Sequence, residues 1–487
     1  MYKYLLCSRY LKTRYIALAS VISVMLGVAT MIVVNSVMAG FSDKMRDRLH
    51  GVLADVVVES YSLDGFFDWQ EVMARVESVS NGEIVALAPT METFALMKFK
   101  VGSESITKQV QLIGVKPLER AKTGDFAEFL FTGRLVRDKK TGKVVEERID
   151  PPSFDVSDEI RISGTKAGAS YQELTKGKTK DETANDPFLD EIKAQMVEEA
   201  PERGAIIGWA IGTFHRPGAE RDTFMAPPGT KVRLLFPKAG NRPEASYDDY
   251  TVVGYFKSGM SEYDAQHVYI PLERLQQMRL LVDAQGRGAI NAIQIKVKDG
   301  VDIDALSHRV QTALERLRPM SFQVRTWEQK QGALLSAVAI EQSILNLLLF
   351  FIIAVAGFGI LAIFFMIVVE KTRDIGILKA LGASTAGVRG IFLGYGLLLG
   401  LVGSGVGMLG GLLFVANINT IEKWLSKVLG HKVFDDSVYY FSEIPTKVDA
   451  FTVAWIVAGA LFIAVAASVW PAQRAAKMHP VKALRFE

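Results

Sequence analysis

Residues that could do chemistry are few in this sequence, and their spacing fits no catalytic or metal-binding pattern. A Gly-Lys-Thr at 177–179 resembles the end of a phosphate-binding loop, but Gln172 stands where that motif requires its upstream glycine. The six histidines are scattered, and the single cysteine, Cys7, has no partner for a disulfide or a metal site. Glu262 and Asp264 are close in sequence, and we interpret them as solvent-facing residues of a turn. The chain by itself is therefore predicted to have no catalytic residues, no metal and no bound ATP.

The elements that must position any function are strongly apolar. A membrane-spanning helix needs about 20 mostly apolar residues. Four stretches carry no charge for longer than that: 15–42, 342–369, 390–421 and 450–473. The first and second are separated by about three hundred residues of soluble composition. The sequence predicts an α-helical membrane protein with four transmembrane helices and a large α+β domain between spans one and two.

The predicted segments divide the whole chain. They are a cytoplasmic N-terminal segment (1–14), transmembrane helix 1 (15–40), the extracytoplasmic domain (41–335), transmembrane helix 2 (336–369), a short cytoplasmic helix (370–388), transmembrane helix 3 (389–417), an outer loop (418–449), transmembrane helix 4 (450–470) and a cytoplasmic tail (471–487).

Charge near the spans predicts their orientation. The segments 1–14, 370–389 and 471–487 carry twelve basic and three acidic side chains, although the net charge of the whole chain is only +3. Because Lys and Arg accumulate in cytoplasmic loops, both termini are predicted to be cytoplasmic and the large domain to lie outside. The competing interpretation of 1–39 is a cleaved signal peptide, but its apolar core is longer than the 7–15 residues that such peptides use.

The outer domain alternates strand-like and helix-like stretches. Period-2 and β-branched runs predict strands at 54–60, 108–117, 203–214, 230–237, 250–256, 267–272 and 291–299. Helical patterns occur at 69–79, 272–281 and 301–317. Residues 118–200 are polar and rich in Lys, Asp and Glu, which predicts an insertion into a more compact fold.

The third span is rich in glycine at spacings of four residues. Gly403, Gly407 and Gly411 would lie along one helix face and let another backbone approach closely. The sequence leaves open whether that second helix belongs to the same chain or to a second copy.

The stretch EKTRDIGILKALGAS at 370–384 is a short charged segment between two apolar ones. As a helix it places Ile375, Leu378 and Leu381 on one face, with Ile377 beside them, and Gly382 suits its C-terminal cap. Such a helix either lies on the membrane surface or presents its apolar face to a partner protein.

This stretch resembles the cytoplasmic coupling segment of FtsX/MacB-type permeases of ABC transporters. The tail WPAQRAAKMHPVKALRFE at 470–487 resembles the family's ending. Four further segments resemble the lipoprotein-releasing branch of the LolC/LolE type: SRYLKTR, NSVMAGF, VVGYFKSGMSEYDAQHVYIPLERLQ and TWEQKQGALLSAVAIE. Residues 118–200 have no match to this branch.

The resemblance implies a permease in the cell inner membrane that carries motion from a separate ATPase to its periplasmic domain. Its partners would be two copies of an ABC ATPase subunit, which bind the ATP, a second permease that is identical or homologous, membrane lipid and lipoprotein cargo. It leaves open whether a periplasmic carrier protein receives the cargo, and it implies no nucleic-acid partner. The ATPase-docking residues carried over by position are Glu370, Lys371, Ile375, Gly376, Ile377, Leu378, Lys379, Leu381 and Gly382.

In that branch, acyl chains enter an apolar cavity between two permeases, lined by the outer halves of spans one and two. The corresponding positions are Val34, Met38, Phe41, Ile340, Ile344, Leu347 and Leu348, each of which could instead contact ordinary lipid. The alternatives are a MacB-like efflux permease for periplasmic cargo and an FtsX-like activator of a cell-wall hydrolase that transports nothing.

Overall fold

The computed structural model describes residues 15–137, 144–157, 160, 203–215, 222–240, 244–430 and 443–479. The chain forms two compact units. The membrane unit consists of Met1–Met45 and Ala333–Glu487, and the outer unit of Arg46–Gly332. The predicted N-terminal segment 1–14, the phosphate-loop lookalike at 177–179 and the last eight residues of the predicted tail lie outside the described residues.

Thirteen α-helices occur in the described part of the chain. In chain order they are α1 (Tyr15–Val52), α2 (Trp69–Val79), α3 (Pro117–Arg120), α4 (Trp209–Gly212), α5 (Ser261–Gln266), α6 (Leu272–Met278), α7 (Ile303–Leu317), α8 (Trp327–Lys330), α9 (Gly332–Glu370), α10 (Thr372–Ala380), α11 (Thr385–Ala416), α12 (Ile418–Leu429) and α13 (Ala450–Ala476).

Thirteen strands accompany them in the same described ranges. They are β1 (Val56–Ser60), β2 (Ile84–Val101), β3 (Glu104–Val115), β4 (Leu130–Arg137), β5 (Val144–Arg148), β6 (Gly204–Gly208), β7 (Thr213–Phe214), β8 (Thr223–Phe224), β9 (Lys231–Pro237), β10 (Ala245–Phe256), β11 (His267–Pro271), β12 (Ala292–Val297) and β13 (Phe322–Thr326).

The four predicted spans correspond to four helices that are long and apolar enough to cross a membrane: α1, α9, α11 and α13. Their ends differ from the predicted ones. The helix predicted to end at residue 40 continues to Val52, because the charged stretch after Ser42 is made of good helix formers such as Lys, Met and Arg. Likewise α13 continues through Pro471 to Ala476, six residues beyond the predicted end of span four.

The two connections inside the membrane unit differ from the predicted ones. The coupling segment expected over 370–388 is a shorter helix, α10, which ends before Gly382; that glycine has a φ of +93°, as its predicted capping role requires. Ser384 then caps α11 by accepting a hydrogen bond from the Gly387 N–H at 3.0 Å. The region 418–449, predicted as a loop, begins with the 12-residue helix α12.

One large mixed sheet organises the outer unit. Eleven strands join it, in the order β13-β1-β12-β2-β3-β11-β6-β10-β4-β5, with β9 pairing both β10 and β2. The longest strand, β2, connects the two ends of this order, since it pairs with β12 through its first half and with β9 and β3 through its second. The predicted α+β class is confirmed.

Buried apolar residues of the strands form the core of the outer unit, together with one face of the flanking helices. In α7 the predicted apolar stripe is the buried one, since Leu306, Val310 and Leu314 are fully inaccessible. Val72 and Val76 of α2 are buried in the same cluster. The apolar faces of these two helices are therefore the faces that are buried, as the sequence pattern predicted.

The predicted insertion at 118–200 differs from expectation over its first part. β4 pairs with β10, with Phe131 opposite Tyr255, so this segment extends the main sheet. Phe126 and Leu130 are buried, and Arg120 is buried as well. Residues 118–137 and 144–157 therefore belong to the compact fold, because a few well-placed aromatic and aliphatic residues outweigh the polar average composition. Apart from Ile160, the rest of the predicted insertion lies outside the described residues.

Candidate functional site

The coupling helix α10 presents one face to its own chain and the other to the surroundings. Ile375 is only 3% exposed and packs in a cluster with Val388 and Phe392 of α11 and with Ala475 of α13. On the opposite side Leu381, directly after the helix, is 81% exposed. The apolar residues that the sequence placed on one shared face thus divide between core and surface.

The predicted docking residues separate accordingly. Ile375 and Gly376 are buried, and Leu378 is half-buried beside a cleft that Ile367, Phe392 and Tyr395 also line. The surface set consists of Glu370, Ile377, Leu381 and Gly382, joined by Arg373, which the sequence did not single out. A partner protein can contact this second set without unfolding the helix.

Lys379 has a different environment from the predicted one. Its Nζ donates hydrogen bonds to the backbone carbonyls of Ala476 and Met478, both at 2.7 Å. These carbonyls lie at the C-terminal end of α13, where the helix leaves acceptors unpaired and where a positive charge is favourable. Lys371 is likewise engaged within the chain, with its Nζ 2.8 Å from the Asp374 carboxylate. Lys379 thus ties the coupling helix to the fourth span.

The predicted cargo residues lie on surfaces that the chain leaves partly or fully uncovered. Val34, Met38 and Phe41 of α1 are half-buried. The four predicted residues of α9 are all more than half exposed: Ile340, Ile344, Leu347 and Leu348. None of the first seventeen residues of α9 (332–348, hereafter its outer half) is buried, whereas burial recurs every three or four residues from Leu349 onward.

The glycine face of α11 is occupied by α1 of the same chain. A Cβ built on Gly403 would be 2.8 Å from the Cβ of Val24, and one on Gly407 would be 2.6 Å from the carbonyl oxygen of Met25. Gly411 lies similarly close to Ala29, at 3.2 Å. Of the two arrangements that the sequence left open, this face follows the intrachain one.

The base of the outer unit is a buried polar network that the sequence did not reveal. Asp55, just after α1, is 2% exposed. Its carboxylate accepts hydrogen bonds from the Val297 N–H at 2.6 Å and from Lys296 Nζ at 3.1 Å, and it contacts His50 Nε2 at 2.5 Å. Its backbone carbonyl accepts from the Trp327 N–H at 3.1 Å. One residue therefore joins the end of α1 to the start of α8, the element that leads into α9.

A second contact fixes the last turns of α1. Arg48 Nη1 donates to the carbonyl oxygen of Gly259 at 2.6 Å. The loop that carries this carbonyl is held by Asp264, whose carboxylate accepts from the Ser258 N–H and hydroxyl and from the Gly259 N–H, at 2.7–3.0 Å. Asp264 is 1% exposed, so the prediction that it faces water was wrong, whereas Glu262 is exposed.

The root of α9 is held just as firmly. Thr326 and Gln329 form a capping box at the start of α8. Lys330 Nζ donates to the Glu59 carboxylate at 2.8 Å, and Gln331 Nε2 donates to the Tyr263 hydroxyl at 2.6 Å. These bonds fix the backbone that enters α9.

Burial shifts the pKa values of Asp264 and His267 in this region. Removal from water raises the pKa of Asp264 to about 6, although its hydrogen bonds from Ser258 and Gly259 oppose that shift. Removal from water, together with the charges of Lys330 and Arg120, lowers the pKa of His267 to about 3. His267 is therefore neutral at physiological pH, with its Nδ1 3.0 Å from the Tyr269 hydroxyl.

The buried carboxylates at this base, Asp55 and Asp264, are hydrogen-bonded to structural partners. Within the described ranges, no group of three or more His, Cys, Asp or Glu could hold a metal ion. The arrangement joins the ends of two helices to the sheet through hydrogen bonds, several of them to the buried Asp55.

Two protein-family models match this chain. The family model described as a MacB-like periplasmic core domain matches residues 17–313, and that described as FtsX-like permease C-terminal matches residues 346–480.

Three relatives illustrate the similarity. The chain is 26% identical to the lipoprotein-releasing system transmembrane protein LolC of Neisseria meningitidis over an alignment of 491 positions, which covers 98% of each chain. It is 24% identical over 488 residues to LolC of Xylella fastidiosa, covering 98% of this chain and 97% of the relative. The lipoprotein-releasing system transmembrane protein LolE of Haemophilus influenzae is 26% identical over 223 residues, which are 46% of this chain and 52% of the relative.

Proposed function

We propose that this protein extracts lipoproteins from the membrane. The premise is its family: the chain belongs to the MacB-like periplasmic core family and is an ABC transporter permease of the FtsX/MacB type. Its full-length similarity to proteins named as lipoprotein-releasing permeases supports this assignment. In the proposed mechanism, a separate ATPase moves α10, and α1 and α9 pass that motion to the outer unit.

The observation that carries the proposal is the uncovered outer half of α9. Seventeen consecutive residues contain no buried side chain, and the most apolar of them include Ile340, Ile344, Leu347 and Leu348. An acyl chain loses about 0.8 kcal/mol for each CH₂ group removed from hydrocarbon. A site that receives lipid anchors must therefore offer apolar surface of this kind. We propose that it lines the cargo cavity with Val34, Met38 and Phe41.

Orientation is part of the proposal. The bases near residues 370–389 and at both termini favour a cytoplasmic location for these segments and a periplasmic one for the outer unit. The protein would then be a multi-pass protein of the cell inner membrane with both termini in the cytoplasm. The uncovered half of α9 would face the outer leaflet, where lipoprotein anchors reside.

The ATPase would contact the surface set around α10. We place the contact on Ile377, Leu381 and Arg373, because Ile375 is occupied by the core and Lys379 by the end of α13. Two ATPase copies and a second permease, identical or homologous, would complete the assembly. The chain alone should bind no nucleotide, so purified protein without its ATPase should show no thermal shift with Mg-ATP.

Leu381→Asp tests this docking surface. An unpaired charge buried in an apolar contact costs several kcal/mol, enough to weaken association by orders of magnitude. We expect the variant to lose its ATPase during co-purification in detergent while keeping the melting temperature of the wild type. Leu381 is a cleaner position than the half-buried Leu378, where a charge would also disturb the fold. A stoichiometric complex with Leu381→Asp would refute this contact.

Cargo identification tests the function itself. The complex purified from its native membrane should contain acylated proteins detectable by mass spectrometry, and Mg-ATP should release them. The match to the MacB-like periplasmic core model favours, as the second candidate, an efflux permease for unacylated periplasmic cargo. Soluble, unacylated molecules bound in place of acylated proteins would select that function. A complex without any cargo would point to an FtsX-like activator of a hydrolase.

A further inference from the structure

Helix α12 has an apolar face that the described chain leaves uncovered. One residue, Asn417, separates it from α11, and none of its twelve residues is buried. Its apolar residues recur at helical spacing: Ile418, Ile421, Trp424, Leu425, Val428 and Leu429. Trp424 and Val428 are each 64% exposed. Large side chains on one continuous face at this exposure indicate a contact with something other than water.

The opposite face of α12 is polar, and part of it is paired within the protein. The Ser426 hydroxyl donates to the Glu422 carboxylate at 2.7 Å. Lys423 lies 3.7 Å from the Glu443 carboxylate, and Lys427 is exposed. Polar and apolar residues are thus segregated around the helix, and no charge interrupts the apolar face.

Contacts within the membrane unit fix the level of α12 along the first span. The Asn419 side chain accepts from the Ile444 N–H at 2.8 Å and donates back to the Ile444 carbonyl at 3.4 Å. The chain that follows lies along α1, where the Lys447 N–H donates to the Ser36 carbonyl at 2.9 Å. A Cβ on Gly40 would be 2.6 Å from the Pro445 carbonyl, so this contact is close.

The charge pattern of α1 places that level at the boundary between hydrocarbon and water. The uncharged run of α1 ends at Ser42, and the next residue, Asp43, forms an ion pair with Lys447. α12 is connected to these residues on one side and to the end of a spanning helix on the other. Both connections place it where α1 and α11 leave the membrane, on the side of the outer unit.

We propose that α12 is an interfacial helix whose apolar face lies in the lipid leaflet on the side of the outer unit. Helices of this kind sink about 5–10 Å into the boundary between headgroups and acyl chains. Trp424 and the lysines of the polar face suit that environment, since tryptophan concentrates at membrane interfaces and lysine keeps its ammonium group in water. Lipid is the occupant that its direct continuity with a span favours.

The inference adds a lipid contact to the proposed function without depending on the identity of the cargo. Asn419 and the segment at 444–447 connect α12 to α1. The lipid-facing side of α12 therefore lies at the same height in the membrane as Ser36 and Gly40 of α1. Lipids next to the proposed cargo residue Met38 would therefore pack against a protein surface lying in the membrane plane.

Two spin-label positions on the same helix test the proposal. In full-length protein carrying Cys7→Ser and reconstituted in lipid nanodiscs, nitroxides are attached to Val428→Cys on the apolar face and to Lys427→Cys on the polar face. Power saturation with oxygen and with a water-soluble nickel chelate then reports the depth of each label. We expect a several-fold higher ratio of oxygen to nickel accessibility at residue 428 than at residue 427.

Two results would overturn the proposal. High nickel accessibility at residue 428 would place the face in water. Low accessibility to both reagents with an immobilised spectrum would place it against protein, such as a second copy of the chain. Size-exclusion profiles of both labelled variants, matched to that of wild type, verify the fold. Quenching by brominated lipid provides an independent reading, since Trp424→Phe should remove part of the quenching that the wild-type protein shows. An unchanged quenched fraction would also contradict the proposal.

Discussion

Two spans of the membrane unit, α11 and α9, differ in how much of their length the rest of the chain covers. Buried residues follow α11 from Val388 to Val415, on a surface rich in glycine. In α9 they begin only at Leu349, and the preceding seventeen residues have none. Close backbone packing stabilises α11 inside the chain, whereas the chain leaves the apolar surface of the outer half of α9 uncovered.

The uncovered half of α9 is nevertheless held at both ends. At its start, Lys330 and Gln331 are fixed by Glu59 and Tyr263. At its other end, Leu349 begins the buried face. The exposure of the outer half therefore reflects missing neighbours along a held segment, which is the property expected of a surface that receives cargo or a second permease.

The largest effect is expected where α11 and α1 are closest. In Gly407→Leu the new side chain would meet the Met25 carbonyl at 2.6 Å, and backbone cannot move aside as a flexible side chain can. Overpacking in a core costs about 1–3 kcal/mol, and a backbone clash should reach the upper end or exceed it. We expect loss of a monodisperse peak in fluorescence-detected size exclusion.

Gly405→Leu is the matched control for this substitution, because a Cβ at Gly405 has no atom within 4 Å. Equal behaviour of the two variants would mean that α11 does not pack on α1 through its glycine face. The contrast with α9 would then disappear.

Adjacent leucines separate the two halves of α9. Leu349 is 5% exposed and Leu348 is 53% exposed. Leu349→Ser should cost about 2–5 kcal/mol through the cavity that it leaves, lowering the melting temperature. Leu348→Ser should leave the melting temperature within a degree or two of wild type but reduce ATP-dependent cargo release several-fold. Reversed outcomes would move the functional surface away from the outer half.

Asp55→Asn tests whether the roots of α1 and α9 are as firmly held as the contacts indicate. The amide cannot satisfy His50, Lys296 and the Val297 N–H together, because it offers one acceptor oxygen and adds two donors. A buried donor without an acceptor costs about 1–3 kcal/mol. Hydrogen exchange should accelerate at the amides of β1 and α8. Unchanged exchange would show that the network carries no stability.

The smallest expected effect is the acid response of this base. His267 binds a proton below about pH 6.5 in the unfolded chain but only near pH 3 in the folded protein. Acidification from about pH 7.5 to 5 therefore lowers the free energy of unfolding by about 2 kcal/mol through this residue. Asp264, with its pKa raised to about 6, binds its proton more readily in the folded state and regains about 1 kcal/mol over the same range. Wild-type stability should therefore decline slightly on acidification.

His267→Gln removes the larger of these two opposing contributions. The melting temperature of the variant should rise slightly between pH 7.5 and 5 while that of wild type falls. Parallel profiles would show that folding does not lower the pKa of His267.

The sequence predicted the elements whose signal is local. Uncharged length located the four spans, and apolar periodicity located α2, α7 and most strands. β2 was missed because both of its faces are apolar around Phe94 and Leu96, so the alternation of a half-buried strand does not appear.

The site was harder to predict, because its geometry depends on partners far along the chain. Nothing in the coupling stretch indicates that Lys379 binds carbonyls nearly a hundred residues later, or that Ile375 faces α11. Asp264 looks like an ordinary turn residue until the Gly259 loop folds over it. Periodicity identifies an amphipathic helix, but which side meets the core is decided by tertiary packing.

The pairing of β1 with β13 restricts how α1 and α9 can move. β1 follows α1, β13 precedes α8 and α9, and five residue pairs join the two strands, from Val56 opposite Thr326 to Ser60 opposite Phe322. The points where both helices leave the sheet are thus neighbours in one antiparallel ladder, and separating them would break its hydrogen bonds. The sheet removes splaying as a degree of freedom and leaves joint tilting or twisting. The ends of the two helices should therefore move together where they join this sheet.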